Sequence, residues 1–357
     1  MKILGIETSC DETAASIIEI DEKIGYIKPL SNVISSQIKL HSSWGGVVPN
    51  LAAREHIKNI FPVIEECLKK SKTPIRDIDL MAVTRGPGLI PALLIGTTGA
   101  KTLSYVWKKP LVGIHHIEGH IYSNFINKNL NEIAFPILCL VVSGGHTQLV
   151  LMKKHLNYEV VGQTQDDAAG EAFDKVARIL GLGYPGGPII SKMASEFQKE
   201  KAKYKIDFPR PMINSNDLNF SFSGLKTAVL YYVKKNESFL QDKDFVKEVC
   251  YEFQQAVLDV LIEKTIKAAN IYHPKTILLA GGVSANTQLQ SQLHRSVQEN
   301  MPSAKFSFPE LAFQLDNAGM IATAAFFRYR QENKKENFLS GWKKMDTRAA
   351  LNLDTKK

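Results

Sequence analysis

The sequence predicts an α/β fold built as two similar lobes around a ligand cleft. Three observations carry that expectation. Segments with strand periodicity alternate with segments of helix periodicity along most of the chain, the pattern of sheets covered by helices. ILGIETSCDET from Ile3 can be laid over ILCLVVSGGHT from Ile137, so that Ile, Leu, a branched apolar residue, Ser and Thr recur at the same offsets. At 357 residues the chain is also longer than one hydrophobic core usually supports.

Taken in order, the short apolar runs predict strands at 2–7 and 14–20, and LAAREHIKNIFPVIEECLKK predicts a long amphipathic helix over 51–70. Further strands are expected at 80–85, 110–115, 136–142, 148–153 and 276–280. Helices are expected around 92–107, 170–180, 223–234 and 243–270. The polar, turn-prone segment NKNLNEIAF marks the lobe boundary. It divides the chain into an N-terminal lobe, 1–133, a C-terminal lobe, 134–330, and a basic tail, 331–357.

The composition, 44% hydrophobic and 22% charged, suits an ordinary globular protein with a sizeable core. Apolar runs such as FPILCLVVSGG fall short of the about eighteen residues a membrane span needs. The start, MKILGIETSC, lacks the apolar region and small-residue cleavage site of a secretory signal, so a cytoplasmic protein with no membrane partner is expected. Four scattered cysteines, Cys10, Cys67, Cys139 and Cys250, form no metal or disulfide pattern. The formal net charge of +8 allows a polyanionic partner such as RNA, although the lysines are spread out as on ordinary solvated faces.

Three glycine turns look built for a phosphate-bearing ligand. VVSGGHTQL puts Ser143, Gly144 and Gly145 between two strands, where backbone amides can converge on an anion with no Cβ in the way. LLAGGVSAN ends a strand, turns on Gly281 and Gly282, and brings Asn286 to a helix start, where its amide can read a ligand edge. GYPGGPI places Gly183, Gly186 and Gly187 beside two prolines. Neither a Walker loop nor a Rossmann fingerprint occurs. Asp174, on a helix leading into the third turn, can bond a ribose hydroxyl or face solvent.

The stretch GIHHIEGH brings His116 and His120 to one face of a helix, four residues apart, a spacing that lets two imidazoles hold one metal ion. Zinc proteases place the base directly after the first histidine. Here Glu118 is one residue later, which turns it by about 100° around the helix axis, so a protease is disfavoured. A third ligand would decide for a metal. Asp316, in QLDNAGMIATAAFFRYR, offers one, though an acid there can equally serve as a helix cap. Two imidazoles and a carboxylate suit iron(II) or zinc.

Together, GIETSCDETAAS, GGVVPNLAAREH, GPGL, HHIEGH, VSGGHTQL, GEAFDKVARILGLGYPGGP, FSFSGLKTAV, GGVSAN and DNAGMIA resemble the motifs of the TsaD family, the tRNA threonylcarbamoyl transferases once labelled O-sialoglycoprotein endopeptidases. The resemblance runs from Lys2 to about Arg328. It implies the duplicated fold of actin, Hsp70 and sugar kinases (the ASKHA fold). It also implies transfer of a threonylcarbamoyl group from threonylcarbamoyl-AMP to N6 of the adenosine beside the anticodon, in tRNAs reading codons that begin with A.

Carried over by residue, the resemblance implies metal ligands at His116, His120 and Asp316. It implies substrate contacts at Val141, Val142, Ser143, Gly144, Gly145, Asp174, Gly187 and Asn286. Asp11 and Glu12 would face the cleft, with Asp11 as the candidate to take a proton from the amine and His146 as the second. The cofactor would be one divalent ion, iron(II) first and zinc next. The implied partners are tRNA, a TsaB-like paralogue and, in bacteria, a TsaE-like ATPase. Two departures stand out: Ile90 and Pro91 follow GPGL where small residues are usual, and Ala318–Gly319 stands where Gly-Ala is usual. The rivals are a metallopeptidase, kept by the histidine pair and the old label, and an ATPase or kinase of the same fold.

Overall fold

The computed structural model describes residues 1–332 and 336–354; of the expected tail, 333–335 and 355–357 lie outside them. Two five-stranded sheets carry the chain. The first contains β1 (Lys2–Glu7), β2 (Glu12–Asp21), β3 (Tyr26–Ser36), β4 (Leu80–Gly86) and β5 (Leu111–His115), in the order β3-β2-β1-β4-β5. The second contains β6 (Ile137–Val142), β7 (Thr147–Lys154), β8 (Asn157–Gln163), β9 (Thr276–Ala280) and β10 (Lys305–Ser307), in the order β10-β9-β6-β7-β8.

The pairing repeats between them. β1 runs antiparallel to β2 and parallel to β4, as β6 runs antiparallel to β7 and parallel to β9. The internal match of Ile3 with Ile137 is therefore a match of equivalent strands, and the duplicated α/β architecture holds.

Helices fill the connections. In the first half these are α1 (Ile38–Ser42), α2 (Pro49–Ser71), α3 (Ile90–Trp107) and α4 (His116–Tyr122). In the second they are α5 (Ala169–Ile179), α6 (Gly186–Ser195), α7 (Ser223–Lys235), α8 (Lys243–Tyr272), α9 (Thr287–Asn300) and α10 (Ala318–Gln331), followed by the short α11 (Glu336–Leu339) and α12 (Gly341–Lys344). Pro91 sits in the first turn of α3, where its missing amide hydrogen costs no helical bond.

Central strands are buried on both faces, which explains their continuous apolar runs. Leu4 and Ile6 point to the α2/α3 side, while Ile3 joins a middle layer between the two sheets. Likewise Leu138 and Leu140 face the outer helices of the second half, and Ile137, Cys139 and Val141 face the middle layer. α4 and α10 lie in that layer. Close approach there depends on two glycines. A Cβ on Gly5 would stand 2.2 Å from the Ala318 carbonyl oxygen, and one on Gly119 would stand 2.8 Å from Ile321 Cδ1. Both contacts seat the start of α10, one against β1 and the other against α4.

The tail turns back onto the first sheet. The Arg348 amide donates to the Arg85 carbonyl (2.9 Å), the Gly88 amide donates to the Ala349 carbonyl (3.1 Å), and Leu353 is buried in the middle layer. No helix among the described residues is long and apolar enough to cross a membrane. The four cysteines are free, and all but Cys10 are buried.

Candidate active site

β5 runs directly into α4. His115 ends the strand and caps the helix, its Nδ1 accepting from the Ile117 amide at 3.1 Å. The helix thus starts at His116, and the His116 and His120 rings meet edge to face with centroids 4.6 Å apart. Asp316 arrives just ahead of α10. It is not the cap of that helix: Asn317 is, accepting from the Met320 amide at 2.9 Å. The Asp316 carboxylate instead turns to the histidines, with Oδ1 3.2 Å from His120 Nε2 and 3.6 Å from His116 Nε2. One ligand atom from each residue lies within 4.8 Å of the others.

This arrangement fits a divalent cation. His120 is fully buried, yet neither of its ring nitrogens makes a hydrogen bond among the described residues; the 3.2 Å approach to Asp316 lacks hydrogen-bond alignment. A buried imidazole without a partner is costly unless an ion occupies its lone pair. His116 is pre-set for the same task. Its Nδ1 lies 3.2 Å from Glu7 Oε2 and 3.1 Å from Ser9 Oγ, which leaves Nε2 facing Asp316 and His120. Glu7 is itself fixed, accepting from Thr84 Oγ1 and the Ser9 amide at 2.5 Å each.

Electrostatics agree with the geometry. Burial alone would depress His116, but the Asp316 and Glu7 carboxylates override it and push it up to about 9. Asp316 is held well below the usual carboxylate range: burial opposes this, and the nearby His116 and His120 rings win. Glu12 is raised well above its ordinary value by burial and by the charges of Asp11 and Asp316. Acids of β2 and of the α10 approach therefore share one cleft. His146 is pushed down to about 4 by burial, assisted by His116 and His120.

Glu118 plays no part in this cluster. It is fully buried and gripped by Arg328, whose Nε lies 2.8 Å from Oε1 and 3.0 Å from Oε2 and whose Nη2 also reaches Oε2. Glu118 is thus not available as a base beside the histidine pair.

The other residues singled out in the sequence lie at the end of β6, in the β6–β7 turn, on α5 and at the starts of α6 and α9. Val141 and Val142 are buried at the end of β6. Beyond them the turn is closed by the Ser143 amide donating to the His146 carbonyl (2.8 Å) and the His146 amide donating to Ser143 Oγ (3.1 Å). Gly144 and Gly145 face open space where a Cβ would stand, as does Gly187. Asp174 is half-buried rather than solvent-facing, and its Oδ1 accepts from the Gly186 amide at 2.7 Å. Tyr184 is raised first by burial and then by the charges of Asp11 and Asp174. Asn286 caps α9, accepting from the Leu289 amide (3.0 Å) and donating to Gln254 Oε1 (2.8 Å). Half of its hydrogen-bonding capacity remains for a ligand.

The sequence profile described as "TsaD: tRNA N6-adenosine threonylcarbamoyltransferase" matches residues 28–323. The chain belongs to this family. Relatives bearing the name tRNA N6-adenosine threonylcarbamoyltransferase include one from Persephonella marina, 48% identical over 334 residues, covering 93% of this chain and 91% of that protein. One from Bacillus subtilis is 48% identical over 331 residues, with 93% and 91% covered. Among solved structures, full-length HypF in the phosphate- and nucleotide-bound form aligns with a TM-score of 0.57 at 12% identity, covering 93% of this chain and 56% of that one. HypF of T. kodakarensis gives 0.59 at 11%, covering 95% and 49%. This chain thus spans about half of each HypF chain, and the likeness speaks to fold alone.

Three site features escaped the sequence. Glu7 sits in a strand that reads as plain core, and its role shows only once β1 is laid beside α4. Ser9 joins it on the same imidazole nitrogen. His56, from α2, bonds Thr13 Oγ1 (2.7 Å) and the Cys10 carbonyl (2.9 Å), and so steadies the turn that carries Asp11 and Glu12.

Proposed function

We propose that this chain transfers the threonylcarbamoyl group of threonylcarbamoyl-AMP to N6 of the adenosine beside the anticodon in tRNAs that read codons beginning with A. The observation that carries this is the convergence of His116, His120 and Asp316 in a cleft also lined by the open Gly144–Gly145 turn, within a chain of this family. In the reaction N6 forms a bond to the carbamoyl carbon, the bond from that carbon to the AMP phosphate oxygen breaks, and N6 loses one proton. The amine is weak because its lone pair is delocalised into the purine. Positioning and electrostatics therefore carry most of the catalysis.

His116, His120 and Asp316 would hold the cation, with iron(II) first and zinc next. When bound, it supplies Lewis acidity toward the carbamoyl oxygen and a fixed anchor for the group. Glu7 and Ser9 hold His116 with Nε2 presented. The Gly144 and Gly145 amides receive the phosphate, next to the Val141–Ser143 strand end, while Asp174, Gly187 and Asn286 surround the adenosine of the donor. Asp11 takes the proton from N6. His146, uncharged at neutral pH, is the second candidate.

The wider setting belongs to the same proposal: lobes of 1–133 and 134–330 with a tail of 331–357, a cytoplasmic location, and a TsaB-like paralogue and TsaE-like ATPase that help present the tRNA. The test is to deplete the protein and measure threonylcarbamoyladenosine in digested tRNA by mass spectrometry. A large loss is expected, and unchanged levels would remove the function. With purified components, transfer should weaken steeply with salt, as phosphate contacts by a +8 chain require.

A further inference from the structure

Two glycines between α1 and α2, Gly45 and Gly46, meet the second half of the molecule. Arg178, on α5, donates from Nη2 to the Gly45 carbonyl. A Cβ on Gly46 would stand 3.3 Å from that Nη2 and one on Gly45 would stand 3.6 Å from Nε, so the guanidinium lies along the backbone of both. Gly45 has φ +67° and Gly46 φ +154°, conformations that a side chain would strain. The contact is charge-assisted, and it joins residues 133 positions apart.

The loop that receives Arg178 is built around one buried imidazole. The carbonyl of His41 accepts from the Trp44 amide (3.0 Å) and the Gly46 amide (3.3 Å), and its Nδ1 accepts from the Val48 amide (3.3 Å). With Nδ1 accepting, the ring hydrogen sits on Nε2, which donates to Gln37 Oε1 at 3.1 Å. Gln37 is buried as well, and its backbone amide donates to the Asp11 carbonyl at 3.0 Å. A run of hydrogen bonds therefore leads from α5 in the second half to the backbone of Asp11 in the first.

Both ends of that run bear on the proposed reaction. Arg178 follows Asp174 by four residues, so the two share one face of α5. Asp174 is raised by burial and by the charge of Asp11, against the Gly186 hydrogen bond and the Arg178 charge, which lower it. Arg178 itself is exposed and fills no core. We propose that Arg178 is a positioning residue: it clasps Gly45 between the two lobes and, through His41 and Gln37, holds the Asp11 turn in place relative to the donor site on α5.

This role rests on the transferase reading, and two measurements keep them apart. The full-length, metal-loaded protein, with the partner proteins its reaction requires, is assayed for transfer at varied donor concentration. The same preparation, without substrate, is followed by hydrogen–deuterium exchange. Arg178→Met should lower kcat about tenfold and leave the donor KM within about twofold, because orientation is lost while the donor keeps its own contacts. Exchange in the peptide covering 41–50 should rise about tenfold, with other segments unchanged. Arg178→Lys, which can still donate to the carbonyl, should recover part of both. Unchanged exchange in Arg178→Met overturns the clasp. A raised donor KM at full kcat overturns the positioning role in favour of direct contact with the donor. If the wild type transfers nothing, the transferase reading and the positioning role fall together, while the exchange of 41–50 still decides whether the clasp exists.

Discussion

Glu7 is a fully buried carboxylate whose two oxygens reach a hydroxyl, a backbone amide and one imidazole nitrogen. Its contact with Nδ1 of His116 leaves Nε2 as the ring nitrogen that would face a cation. Glu7→Gln should therefore lower metal affinity about 10- to 100-fold, measured by competition against a chelator, while His120→Ala should abolish binding and transfer together. Affinity equal to wild type in Glu7→Gln would remove the orienting role. Glu118 makes the complementary case. Removing Arg328 leaves a buried carboxylate without its guanidinium, so Arg328→Met should cost about 3 kcal/mol in denaturant unfolding, and adding Glu118→Leu should recover most of it. At this scale the sequence was half legible. Helix periodicity alone places His116 and His120 together and turns Glu118 away, because those relations lie within one element. Nothing local reveals that Glu118 pairs with a residue 210 positions away.

At the scale of elements, the site depends on how tightly α10 seats against β1 and α4. Gly5→Val would drive a side chain into the Ala318 carbonyl, which α10 can relieve only by moving, and Asp316 moves with it. Overpacking of this kind costs about 1–3 kcal/mol. The expected outcome is a fall in melting temperature accompanied by loss of metal affinity; the former without the latter would show that Asp316 is positioned independently of α10. A second element-level effect comes from His155, in the β7–β8 turn. Its ring stacks on Phe327 with centroids 4.1 Å apart and lies beside the Tyr122 hydroxyl, 3.1 Å from Nδ1. Burial, with Arg330 nearby, pushes His155 down to about 4. The unfolded chain titrates near 6.5, so between those values the unfolded state holds more protons. The stabilisation is full above the unfolded value and is lost as pH falls toward 4. His155→Gln should flatten the acid-side fall of the denaturant midpoint across that window, and an unchanged slope would exclude His155 as its source. The strands and helices with clean apolar patterns were legible in the sequence. β3 was not, because Pro29, Ser31 and Asn32 read as loop; it is an edge strand, where proline and polar side chains are tolerated. β10, three residues long, is too short to carry a period.

The whole molecule is organised by its middle layer. Ile3, Leu80 and Ile114 of the first sheet pack in one cluster with Ile137, Cys139 and Leu278 of the second, with α4 and α10 residues between them. Each lobe also has an outer core of its own: Leu4, Ile60 and Val83 in the first, Leu140, Phe173 and Phe253 in the second. A duplicated sequence suggests two independent units, yet a shared layer of this kind couples them, because opening either lobe exposes apolar surface belonging to both. The candidate metal ligands His116 and His120 sit on α4 and Asp316 stands just ahead of α10, so integrity of the site and cohesion of the lobes have the same source. Of the three tryptophans, Trp107 and Trp342 pack against the outer core of the first lobe and Trp44 is largely exposed, whereas the long helix α8 belongs to the second lobe. Tryptophan fluorescence therefore reports one lobe and far-ultraviolet circular dichroism reports both. The expected outcome in a urea titration is a pair of superimposable transitions. A fluorescence transition that precedes the dichroism transition would mean that the middle layer parts before the second lobe melts. In that event metal binding, followed in the same titration, should disappear with the fluorescence, since His116, His120 and Asp316 need both helices in place.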